Sequence, residues 1–343
     1  MKNSLIASLA CLTLVVTANA QYYLYKDLGT AGTYKNIMPT GINNNGDIVG
    51  SACDEQSRFV AFRYTGAGGI SLIPSPGPAH SAWGYGINSA GTIVGMCDRN
   101  GSVLHEFYDQ VGFSAVDPDA DFSRDSAAIA INDSGYVVGT EGGQPFLGNY
   151  QGWIYPLGAT LGAKFLPTGL NGNLDVVGND VWGGSVWNFW TGTRTYLGFA
   201  LGTWSNHASA INKTGVVAGQ VGSQGFLYTP GTPVTLFGAG VATVGGLNAN
   251  GDVVGCTTAG HAFVYLKKTN QFVDLNTAVS PKVSNVWTLV NASGINDSGQ
   301  ICGQARRLAV PADGLGNAMY VYRAYNISPF VGIVLPYTSP VIP

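Results

Sequence analysis

Charge is the first thing this chain of 343 residues has little of. Asp, Glu, Lys and Arg make up 10% of it, only three glutamates occur (Glu55, Glu106 and Glu141), and the formal net charge is −3. Such a balance leaves no basic stripe, so neither nucleic acid nor an anionic membrane is an expected partner. With glutamate so rare, a carboxylate pair for glycoside hydrolysis would have to come from loop aspartates. Histidines are as sparse and stand singly, at His80, His105, His207 and His261. No HExxH, Ser-His-Asp pattern, zinc spacing or P-loop is present. The Gly-rich stretches run from strand to strand rather than into a helix, so they do not read as phosphate cradles. Beyond residue 20 nothing approaches the roughly 18 apolar residues of a membrane helix, and no membrane insertion is expected.

The first twenty residues read as a signal peptide. Lys2 gives a positive start, "LIASLACLTLVV" is a short apolar run, and "ANA" before Gln21 offers the small residues a signal peptidase needs. A lipoprotein site at Cys11 is disfavoured by Ser8, where a lipobox wants Leu. The expected product is a secreted or periplasmic chain starting at Gln21. It retains four cysteines, Cys53, Cys97, Cys256 and Cys302, which permit two disulfides in an oxidising compartment. Cys53 with Cys97 and Cys256 with Cys302 is the economical pairing if Cα atoms approach within about 7 Å. Facing sheets sit about 10 Å apart, which leaves four thiols as the other reading.

Glycine, by contrast, is abundant at 49 residues, and much of it is periodic. "NNNGDIVG" from Asn43 returns as "NSAGTIVG" from Asn88, "NDSGYVVG" from Asn132, "NKTGVVAG" from Asn212, "NANGDVVG" from Asn248 and "NDSGQICG" from Asn296. A looser copy, "NGNLDVVG", starts at Asn171, and the spacings run from 36 to 48 residues. Asn at i with Gly at i+3 is the chemistry of a type I turn closed by a left-handed residue, joining two strands in a bulged hairpin. Leu174 takes the i+3 place in the loose copy, where Gly172-Asn173 offers an alternative turn. A second glycine at i+7 stands in all seven copies, from Gly50 to Gly303. Glycine inside a strand points to a bulge or to close approach of other backbone.

Each copy continues with an aromatic third strand, such as "FVAFRY" (59–64) or "HAFVY" (261–265), and six add a fourth, such as "WIYPLG" (153–158). The seventh lacks one, and "YYLYKDLG" (22–29) matches the missing piece. Periods near 40 with this content imply propeller blades. The expected fold is all-β: a seven-bladed β-propeller of four-stranded antiparallel blades, closed by the N-terminal strand, over residues 21–326. Residues 327–343 form a C-terminal tail, whose "FVGIVLP" competes with residues 22–29 for the last outer edge. The repeat, with His261-Ala262-Phe263 and the near copy Val60-Ala61-Phe62, resembles the HAF-repeat family of bacterial extracellular proteins. That resemblance spans about residues 22–325 and implies an exported β-propeller-like protein, with no catalytic set to carry over. His261 is replaced in most copies and is not taken as functional.

Recognition is expected on the face opposite the Asn turns, where loops vary. Trp83, Trp182, Trp204, His207, Trp287, Arg306 and Arg307 fall there, with Trp83 and Trp204 as stacking anchors and either arginine for an anionic group. Asp117, Asp119 and Asp121 have the alternate spacing of a calcium loop. Phe122 replaces its turn glycine and Ala128 its bidentate glutamate, so calcium is the weaker reading and no other cofactor is expected. These features together imply a secreted binding or adhesion module for carbohydrate or a protein surface. The alternative is an extracellular hydrolase or lyase with its site on the same loop face.

Overall fold

The computed structural model describes residues 22–73, 81–98, 104–109, 113–114, 125–149, 153–310 and 319–330. The chain is all-β, a β-propeller of four-stranded antiparallel sheets with a few one-turn helices between strands. Seven such sheets occur among the described residues, numbered here one to seven in the chain order of their Asn turns. Sheet one holds Asn36–Ile42, Ile48–Cys53, Phe59–Thr65 and Gly69–Ile73. Sheet four holds Leu166–Leu170, Asp175–Asp180, Gly183–Asn188 and Arg194–Tyr196. Sheet seven takes Thr288–Ile295, Ile301–Val310 and Met319–Pro329, and its outer strand is Tyr23–Asp27, antiparallel to Met319–Pro329. That third strand runs past the expected boundary at residue 326. Among the described residues, no helix is long and apolar enough to cross a membrane.

The repeated turn is built as its sequence dictates. In each copy the N–H of the i+3 residue donates to the carbonyl of its Asn, as in Gly46 N to Asn43 O at 3.1 Å. The Asn side-chain oxygen accepts from the i+4 amide, as in Val216 N to Asn212 Oδ1 at 3.0 Å. The i+3 glycines are left-handed, and so is Leu174, with φ of 58°. The loose copy therefore makes the same turn. Left-handed backbone costs a non-glycine residue roughly 1–2 kcal/mol, and Leu174 offsets this by burial beside Val176 and Trp187.

Each repeat Asn then spends its amide on the next sheet. Asn43 Nδ2 donates to Asn88 O (3.0 Å), Asn88 to Asn132 O (3.2 Å), Asn132 to Asn171 O (3.0 Å) and Asn171 to Asn212 O (3.3 Å). Asn212 donates to Asn248 O (3.0 Å), Asn248 to Asn296 O (3.2 Å), and Asn296 back to Asn43 O (3.0 Å). The circle is closed, and all seven asparagines are buried. One apolar cluster fills each junction, including the one between sheets seven and one, where Cys302 and Ala324 meet Ile37 and Phe62.

The i+7 glycine is explained by the sheet it belongs to. The first strand bulges opposite it, for example between Val244 and Gly246, and an aromatic from the third strand lies across it. A Cβ on Gly255 would stand 2.0 Å from Thr243 O and 2.8 Å from the Phe263 ring. Gly139 and Gly219 meet the same two obstacles, with Phe146 and Phe226 as the rings. The close backbone is thus the bulge of the same sheet, and the recurrent aromatic packs on the space a side chain would need.

No disulfide joins the four cysteines. The Cys53 and Cys256 thiols donate to the carbonyls of Asp54 (3.4 Å) and Thr257 (3.2 Å). Cys302 turns into the cluster shared with sheet one, away from Cys256, and burial pushes its thiol up to about 12. Cys97 is buried between sheets one and two, and Cys302 between sheets seven and one.

Candidate functional site

A cavity of about 340 Å³ opens between sheets four and five, on the face opposite the Asn turns. Asp180, Val181, Trp204, Ser205, His207 and Gln220 line it. Trp182 sits at the tip of the hairpin joining the second and third strands of sheet four, 58% exposed. Its amide donates to Asp180 Oδ1 at 2.7 Å. Asp180 Oδ2 in turn takes Arg194 Nη2 at 2.5 Å, and both side chains of that pair are nearly buried. Arg194 also donates to Ser185 Oγ (3.0 Å) and Leu161 O (2.9 Å) and lies over the Tyr196 ring at 4.4 Å. The ion pair is spent on holding the hairpin, so the site is electrically neutral.

Trp204 is the centre of the aromatic shelf. Its ring meets Phe199 at 4.9 Å, Tyr196 at 6.2 Å and Trp182 at 6.4 Å, each edge-on. It rests on Gly198, where a Cβ would lie 2.3 Å from the indole, so only glycine seats it. Asn206 fixes the loop below, donating to Thr203 O (2.9 Å) and accepting from Gly184 N (3.0 Å). Trp204 and Phe199 remain 44% and 78% exposed.

His207 forms the polar wall. Its Nε2 lies 3.3 Å from Asn179 Nδ2 and its Nδ1 3.3 Å from Ser209 Oγ. The Asn179 amide is oriented by Ala208, donating to its carbonyl and accepting from its N–H at 2.8 Å each. That orientation presents an N–H to Nε2 and places the ring proton on Nδ1. Burial lowers the His207 pKa. The neutral ring is the resting form.

The other residues expected from sequence lie elsewhere on the ring. Trp83 is half-buried against Phe59 at 5.3 Å, in sheets one and two, and does not join Trp204 as an anchor. Arg307 lies over Trp287 at 5.1 Å and Arg306 over Tyr320 at 4.8 Å, both at sheet seven. Register sets these two arginines on opposite faces of their strand. Asp117, Asp119 and Asp121 fall outside the described residues; among those described, no group of three or more His, Cys, Asp or Glu is arranged to hold a metal.

Three features were missed. Phe199 and Tyr196 complete the shelf from a one-turn helix and an edge strand, contacts that sequence spacing does not encode. The Asn-turn face, opposite the one where recognition is expected, carries an aromatic patch in which Phe189 meets Trp153 (5.9 Å), Tyr155 (5.5 Å) and Trp190 (5.0 Å). The adjacent rings in "NFW" break strand alternation and were its signal. Third, His261 Nδ1 is 2.7 Å from Asp274 Oδ2 on the loop face, with Asp274 Oδ1 held by Asn276 N at 2.9 Å.

No protein-family model and no curated protein matches the chain. Solved structures do. A streptogramin B lyase aligns over 91% of this chain and all of its own, with a TM-score of 0.58 at 11% identity. Virginiamycin B lyase from Staphylococcus aureus aligns over 90% and 99%, with a TM-score of 0.53 at 13% identity. An extracellular domain from B. thetaiotaomicron aligns over 91% of this chain and 40% of its own, with a TM-score of 0.53 at 10% identity. At these identities the likeness is one of fold.

Proposed function

We propose that this protein is an exported carbohydrate-binding β-propeller, similar to HAF-repeat proteins, whose seven sheets act as blades of one ring closed by the N-terminal strand. The asparagine circle and the pairing of Tyr23–Asp27 with sheet seven support the closure. The observation that carries the binding reading is Trp204, a large exposed indole held rigidly over a polar cavity. A ring placed this way offers apolar area at little conformational cost. The lining adds hydroxyl, amide and imidazole groups but no unpaired charge, since Asp180 is matched by Arg194. A neutral ligand with one apolar face and many hydroxyls fits that combination, and a sugar ring is such a ligand. A glycan array followed by calorimetry tests it: wild type retains a neutral glycan, and Trp204→Ala loses it at unchanged thermal stability. Retention of acidic glycans alone, or of none, overturns the reading.

A second reading, an extracellular lyase or hydrolase, rests on the His261–Asp274 pair. The carboxylate orients the imidazole through Nδ1, as a general base requires. Product release from a bound glycan that disappears in His261→Ala would favour it.

A further inference from the structure

Resting on the carbohydrate reading, we infer that the ligand is a linear neutral glycan longer than a disaccharide, lying along the outer edge of sheet four and gripped at both ends. Two exposed aromatic clusters flank the outer strand of this sheet, one at each end, and the second is shared with the outer strand of sheet three. Trp204, Trp182 and Phe199 hold one end, and Trp153, Tyr155 and Trp190 the other. Phe189 ties the second cluster to sheet four, meeting Trp187 at 5.9 Å. Trp187 pairs in register with Arg194, which lies over Tyr196, whose ring meets Trp204. Trp187 is buried, and the charge that lies between the two clusters, on Arg194, is paired with Asp180.

Between the clusters runs Arg194–Tyr196, the outermost strand of the sheet among the described residues. Its outward backbone groups and the exposed Thr191, Thr193 and Thr195 alternate hydrogen-bonding capacity with the flanking rings. An extended chain of pyranoses presents the same alternation, apolar ring faces between hydroxyl edges. The six residues of Gly183–Asn188 set the separation at about 20 Å, so no mono- or disaccharide reaches both ends. A peptide strand would pair with the open edge but has no use for two distant aromatic shelves.

The test is a length series. Affinities of the full chain are measured for β-1,4-linked glucose, N-acetylglucosamine and xylose oligomers of one to six units. One series gains at least about tenfold between the dimer and the longest member, as the second cluster engages. Trp153→Ala with Trp190→Ala removes that gain and leaves dimer affinity and melting temperature unchanged; Trp204→Ala removes both. Length-independent binding, or a gain that survives the Trp153/Trp190 pair, overturns this inference while leaving the cleft as a short-glycan site. Failure of every oligomer, monomer to hexamer, removes the carbohydrate reading itself.

Discussion

Asn212→Ala is a direct probe of the asparagine circle. The side chain is 5% exposed, its oxygen accepts from Thr214 N and Val216 N at 3.0 Å each, and its amide donates to Asn248 O at 3.0 Å. Truncation acts unequally on these partners. Thr214 is exposed, so water replaces its bond, and Asn248 O keeps the Gly251 N–H at 3.1 Å. Val216 is buried, and its N–H is left without an acceptor. One buried orphan costs about 1–3 kcal/mol and the lost bonds about 1 more, giving about 2–4 kcal/mol. For a chain of this size that is a fall of about 4–8 °C in melting temperature. Urea unfolding followed by circular dichroism measures it, with the exposed Gln224→Ala as the control expected within about 0.5 kcal/mol. A loss at Asn212 no greater than the control would refute the claim that the turn asparagines hold the ring.

Gly255→Ala drives a methyl into Thr243 O and the Phe263 ring and should cost roughly 3 kcal/mol or more. Gly172→Ala, with nothing within 4 Å, should be neutral or stabilising by about 0.5 kcal/mol in the same assay. Gly198→Ala should displace Trp204 and abolish ligand binding while the far-ultraviolet spectrum stays that of the wild type. Asp180→Ala leaves Arg194 buried without its carboxylate, and a loss of about 3–5 kcal/mol is expected by denaturant titration. His207 has its folded pKa below the unfolded value of about 6.5. Its contribution is therefore present above that pH and lost as pH falls towards the folded pKa. His207→Gln should flatten this part of the stability profile; an unchanged profile counts against it.

The fold was legible because its devices repeat. Asn at i and Gly at i+3 and i+7 dictate the turn, and the bulge that excludes a side chain at i+7 sits two residues before each first strand ends. Leu174 was the one place where the template bent, and burial decided it. The site was legible only in part. Trp182 and Trp204 were found because they stand at loop positions, where no packing rule demands them, and His207 because it opens the strand that follows. Phe199, Tyr196 and the Asp180–Arg194 pair were not, since they meet through an edge strand and a helix turn that lie far from Trp182 in sequence. Trp83 looked like its counterpart Trp204, yet Phe59 from the neighbouring sheet covers it. Cysteine spacing left bridges and four thiols both open, and no disulfide joins the four.

The central claim is that a neutral sugar stacks on Trp204. A crystal structure of the chain with the best-retained oligosaccharide tests it most directly. A pyranose face parallel to the Trp204 indole is expected, with hydroxyls bonded to His207 or Gln220 and no ligand in the mouth of the asparagine circle. A sugar bound in the mouth of the asparagine circle, or at Trp83 with Trp204 bare, would contradict it.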